Sequence, residues 1–106
     1  MSCQFIDGTK GGTYAASVNR LMFDEEQNVL EFCVAQSMGT TNPVNYRFSN
    51  SGKDRLVMYR AGDALLAAGV RFDSPFAIRV DEKSGTVVWQ YIDGAIAEYS
   101  RYKCAR

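Results

Sequence analysis

Residues 18–35 read Val18-Asn19-Arg20-Leu21-Met22-Phe23-Asp24-Glu25-Glu26-Gln27-Asn28-Val29-Leu30-Glu31-Phe32-Cys33-Val34-Ala35, and the fold class turns on how they are parsed. Parsed as strands, Val18 to Phe23 and Val29 to Ala35 flank a polar hairpin loop from Asp24 to Asn28. Leu30, Phe32 and Val34 then share one face, with a strand's alternation. Parsed as a helix over 24–38, Asp24 is the N-cap, Gln27 takes the reciprocal capping position and Gly39 ends the run. An internal echo favours the hairpin. Leu21 to Phe32 resembles Ile78 to Trp89: an apolar run, an Asp-Glu pair, a polar turn, then a β-rich run. The second copy is the clearer hairpin, because Ser84-Gly85 is a turn signal and Thr86-Val87-Val88-Trp89 is β-branched and aromatic.

Working outward, the same alternation recurs. Val44, Tyr46 and Phe48 alternate with Asn45, Arg47 and Ser49, the cleanest half-buried strand pattern in the chain. Asn50 to Lys53 turns it, and Arg55 to Arg60 follows as its partner. Phe76, Ile78 and Val80 form another apolar face, as do Val87, Trp89 and Tyr91. Asp93-Gly94 makes a tight turn into a last strand over 95–104. The stretch 36–43 and the first thirteen residues, with Lys10-Gly11-Gly12-Thr13, read as loops. Gly8 to Thr13 lacks the spacing of a phosphate loop and has no helix pattern after it. One short helix is expected near 63–69: Asp63 caps it, Ala64 to Ala68 are helix formers, and Gly69 suits a left-handed stop. Val70 to Phe72 then reads as a short strand or a connection.

The sum is a mainly β fold, a small antiparallel barrel or sandwich of about 7–8 strands. The alternative is an α+β fold with the helix at 24–38. With 106 residues and 46% apolar content, the chain reads as a single globular domain over 1–106.

Composition removes several functions. The chain carries no histidine, which excludes Ser-His and Cys-His nucleophile pairs and His-ligated zinc. Twelve basic and twelve acidic residues balance to zero, which argues against nucleic acid as a partner. Residues 1–50 hold three basic and five acidic side chains, and residues 51–106 hold nine and seven, so the basic excess gathers late. No run approaches the roughly 18 apolar residues of a membrane-spanning helix. The start has no leader pattern, so the location expected is cytoplasmic, or secreted or periplasmic if Met1 replaced a leader. Asp24-Glu25-Glu26 and Asp81-Glu82 fall in turns and read as solvated. No metal site, cofactor or catalytic residue is assigned, and the balance leans away from an enzyme.

Three cysteines remain to be placed. Cys3 and Cys104 lie near opposite ends, and they can bond if the first and last strands pair. Cys33 sits in an apolar run with no activating base and reads as a small buried hydrophobe.

The aromatic set is the strongest pointer to function. The leading expectation is a non-enzymatic binding protein of inhibitor or accessory type. Trp89, Tyr91, Tyr99, Arg101 and Tyr102 would engage a partner protein through an exposed aromatic-basic face of the last two strands. The alternative is a β-barrel carrier or sensor of a small molecule, with Tyr46, Phe48, Met58 and Arg79, together with Trp89, lining its pocket. Exposed strand edges also favour a homodimer.

Overall fold

Asp24 to Asn28 turns a hairpin. The Asp24 carboxylate accepts a 3.0 Å hydrogen bond from the Gln27 N–H, and Asn28 takes a φ of 57°. Asparagine tolerates that left-handed geometry better than other side-chain-bearing residues. A computed structural model describes residues 1–9, 18–34, 44–71, 74–93 and 95–105. The loops expected at 10–13 and 36–43, and Gly94 of the last turn, lie outside the described residues.

The described residues form nine strands: β1 (Ser2–Gly8), β2 (Val18–Asp24), β3 (Val29–Val34), β4 (Val44–Phe48), β5 (Arg55–Ala61), β6 (Ala64–Arg71), β7 (Ser74–Asp81), β8 (Thr86–Asp93) and β9 (Ile96–Ala105). They join in one antiparallel sheet of order β4-β3-β2-β1-β9-β8-β7-β6-β5, which curls into a nearly closed barrel. No helix occurs among the described residues.

Two sequence expectations are corrected. The alternative helix at 24–38 gives way to the β2–β3 hairpin, in which Phe23 pairs with Leu30 and Leu21 with Phe32. The short helix near 63–69 is strand β6. Helix propensity in Ala64 to Ala68 is real, but a helix of one to two turns cannot hold itself together in water. As a strand, the same residues pair on both sides, Ala67 with Met58 of β5 and with Ile78 of β7. Leu65 and Ala67 are buried while Leu66 and Ala68 are exposed, so the stretch alternates as a strand does. Gly62, with a φ of 61°, makes the tight turn from β5. A third difference is β1, in a segment expected to be loop. It enters the sheet between β2 and β9.

The core is the barrel interior. Leu30, Leu56, Leu65 and Val80 are its most deeply buried side chains. The Cys3 and Cys104 sulfurs are bonded to each other within it. A bulge in β1 between Phe5 and Asp7 resets the alternation. Phe5 thereby stays opposite buried Tyr102, while Asp7 moves to the outer surface opposite Arg101.

The barrel's two edge strands, β4 and β5, are consecutive in the chain and share no ladder. Side chains span the seam between them. Asn28 donates from Nδ2 to the Leu56 carbonyl, and the Leu56 N–H donates to Asn50 Oδ1 at 2.8 Å. Near the end of β5, Arg60 reaches two turns at once: Nε lies 2.8 Å from Glu25 Oε1 and Nη2 lies 2.9 Å from Glu82 Oε1. The acidic turns of the two similar hairpins are exposed, as expected, and are also joined by this one guanidinium.

Candidate functional site

Strands β3, β4, β7 and β8 each turn aromatic residues inward, and their registers bring the rings together. Phe32 sits at the centre. Its ring lies 5.2 Å from Tyr46, 5.4 Å from Phe48 and 4.6 Å from Trp89, centroid to centroid. Phe48 lies 4.7 Å from Phe76, and Trp89 lies 5.6 Å from Tyr91. Offset and edge-on contacts at these distances add to the burial of the rings. Phe32, Phe48 and Phe76 are buried, whereas Tyr46, Trp89 and Tyr91 are half-buried and border the core.

Three polar groups enter this apolar set. Ser100, opposite Trp89 in the β8–β9 register, is buried. Tyr102 lies two residues on along the same face. Burial pushes its phenol up to about 12, and a hydrogen bond from Ser100 works against that shift. The third group is the indole N–H of Trp89, which is buried and has no hydrogen-bond partner among the described residues. Cys3, Leu21, Phe32, Ile78, Val87, Trp89 and Tyr102 line a cavity of about 10 Å³, the room of about one water molecule.

The residues expected to form one aromatic-basic face do not share a face. Trp89 and Tyr91 point inward on β8, and Tyr102 is buried at 3% exposure on β9. Tyr99 and Arg101 stand on the outer surface, where Arg101 donates to Asp7 from both Nε, at 2.6 Å, and Nη2. The cause is strand alternation: positions 99 and 101 have opposite parity to position 102, so one strand must send them to opposite sides. Of the residues expected to line a pocket, Phe48 is buried and Tyr46 and Met58 pack against the core. Arg79 is exposed on the outer face of β7, between inward-facing Ile78 and Val80.

Ser100, Asn28, Asn50 and Arg60 were not singled out from the sequence. The parity of Ser100 with Tyr102 and Cys104 was the available signal for the first. Asn28 directly after an acidic turn was the signal for the second. The roles of Asn50 and Arg60 depend on contacts across the barrel, which no local pattern carries. Among the described residues no group of His, Cys, Asp and Glu could hold a metal ion, and no helix is long and apolar enough to cross a membrane.

No protein-family model matches the sequence, and no curated protein matches it. Solved structures do match in shape. The crystal structure of wild-type fluorescent protein UnaG superposes with a TM-score of 0.53 at 11% identity, covering 98% of this chain and 95% of UnaG. The crystal structure of a UnaG mutant gives 0.54 at 11% identity, covering 99% of this chain and 94% of the other. At that identity the likeness is one of fold: the chain, like UnaG, is an antiparallel β-barrel.

Proposed function

We propose that the barrel binds a small apolar molecule in its interior, as a carrier or sensor. The observation that carries this reading is the indole N–H of Trp89, buried among aromatic rings without an acceptor among the described residues. An unpaired buried donor costs about 1–3 kcal/mol, and native proteins rarely keep one without a use. A ligand that brings an acceptor removes the cost. Mostly apolar walls with a few placed polar groups are the usual make-up of a small-molecule site, and barrels of this size commonly enclose one ligand. The 10 Å³ cavity is not a ready chamber. Occupancy therefore exchanges the contacts of half-buried Trp89 with Phe32 and Tyr91 for contacts with the ligand.

Trp89 is the chain's single tryptophan, so its fluorescence reports the interior directly. Titration with Nile red, a neutral apolar dye, is expected to quench or shift that emission saturably at one dye per chain. Weak, non-saturating uptake by the folded protein would remove the reading.

A protein partner keeps one supporting observation. On the outer face of β5 and β6, Val57, Tyr59 and Leu66 are 68%, 64% and 40% exposed, beside an unladdered strand edge. Light scattering tests self-association, and a concentration-independent 11.8 kDa species ends it. The Cys3–Cys104 bond suits an oxidising compartment and so favours the secreted or periplasmic location.

A further inference from the structure

We infer that the ligand of this barrel is electrically neutral and carries a hydrogen-bond acceptor of the carbonyl type, with its acceptor bound by Trp89. This rests on the interior-binding reading above and adds the chemical class of the ligand.

The argument begins with charge. Among the described residues no Lys, Arg, Asp or Glu is buried; the buried polar residue is Ser100. All nine described basic side chains are exposed: Arg20, Arg47, Lys53, Arg55, Arg60, Arg79, Lys83, Arg101 and Lys103. Three of them are also held in ion pairs, Arg47 by Glu31, Arg60 by Glu25 and Glu82, and Arg101 by Asp7. A carboxylate brought inside would lose its hydration with none of the described Lys or Arg side chains there to meet it, and an unpaired buried charge is among the costliest groups a protein can hold.

The polarity of the unpaired group fixes the rest. The indole nitrogen donates and cannot accept. Ser100 bonds to the Tyr102 phenol, so neither hydroxyl is wholly without a partner, whereas the buried indole N–H is. The group left wanting is a single neutral donor, and its complement is a single neutral acceptor. A pure hydrocarbon would fit the rings and leave the donor unpaired. A ketone, aldehyde or ester answers both requirements.

Three probes of similar size separate the cases: acetylnaphthalene (neutral, with acceptor), ethylnaphthalene (neutral, without) and naphthoate (anionic). Each is titrated into the full chain and followed by heteronuclear NMR, where the one tryptophan gives one indole N–H resonance. Acetylnaphthalene is expected to bind about five-fold or more tighter than ethylnaphthalene, the worth of one hydrogen bond. It is expected to move the indole proton downfield, and naphthoate is expected to bind most weakly. Trp89→Phe should erase the advantage of the ketone over the hydrocarbon. The native protein's indole resonance reads the bond without a variant, so the result does not depend on that variant folding. If ethylnaphthalene or naphthoate binds tightest, or the indole proton stays still while acetylnaphthalene binds, the neutral-acceptor inference falls and interior binding stands. If none of the three perturbs the interior resonances, both fall.

Discussion

Cys3 on the first strand lies directly across from Cys104 on the last, and the two sulfurs are bonded. The bond joins residues 101 apart in sequence, so it ties nearly the whole chain into one loop. In the chain-entropy account such a link is worth up to about 4.7 kcal/mol. Replacing both cysteines by alanine is expected to cost about 2–5 kcal/mol, read as a lower urea midpoint. A reducing agent should lower the midpoint of the native chain in the same direction, and Cys33→Ser should not abolish that response.

A second prediction concerns Gly69. A β-carbon there would stand 2.0 Å from the Arg55 carbonyl oxygen and 3.1 Å from Phe76 Cζ. The backbone oxygen cannot yield without parting β5 from β6. Gly69→Ala is therefore expected to destabilise by about 1–3 kcal/mol or more, as overpacking does. Leu66→Ala, at an exposed position of the same strand, should cost far less; equal costs in urea melts would refute the steric account.

Asn28 separates backbone strain from hydrogen bonding at the seam. Asn28→Gly keeps the left-handed φ at ease and loses the bond to the Leu56 carbonyl. Asn28→Ala loses the bond and also forces a β-carbon into that geometry, at about 1 kcal/mol extra. Both variants should speed hydrogen exchange at the Leu56 amide, and the alanine variant should be the less stable of the two.

Stability should fall at both extremes of pH, for different reasons. Hydrogen bonds from Arg101 hold the Asp7 carboxyl below its usual range, and the backbone N–H of Ser84 does the same for Asp81. A folded value below the unfolded one, near 3.9, adds stability above that pH. That contribution disappears as pH drops through the folded value. Unfolding in acid should therefore steepen below about pH 4, and Asp81→Asn should flatten the response. Tyr102 works in the other direction. Burial pushes its phenol up to about 12, whereas the unfolded chain releases that proton near 10. Stability should hold below about pH 10 and decline toward about pH 12. Tyr102→Phe should remove that alkaline slope in a urea-midpoint series.

The sequence showed strands wherever alternation is local. Val44, Tyr46 and Phe48 declared an inward face, and the similarity between the two acidic hairpins favoured β2–β3 over a helix. Ala64 to Ala68 misled because local propensity favours a helix. What makes the stretch a strand is distant: small Ala67 faces Met58 and Ile78 across two ladders. Strand β1 was hidden because Gln4, Asp7 and Gly8 carry no β signal, and Cys3 alone hinted at pairing between the chain's ends. For the site, aromatic content pointed to Trp89 and Tyr91 but not to the side they occupy. Reading parity along β9 would have parted Tyr102 from Tyr99. The unpaired indole N–H lay beyond any sequence pattern, because it is defined by what fails to surround it.

The seam between β4 and β5 gives the barrel two kinds of joint. Among the described residues, seven of the eight adjoining strand pairs are sewn by rows of paired residues and open only by losing the row, while β1 and β2 meet at the Ser2–Arg20 pair and through the bonds between Met1 and Leu21. The joint between β4 and β5 has no ladder and is a clasp made of the Asn28, Asn50 and Arg60 side chains, whose bonds each exchange with water at a net cost of about 0.5–1.5 kcal/mol. The cylinder can therefore gape along one line and reclose with every ladder intact. The rate of that breathing would govern how quickly anything enclosed trades places with the water outside.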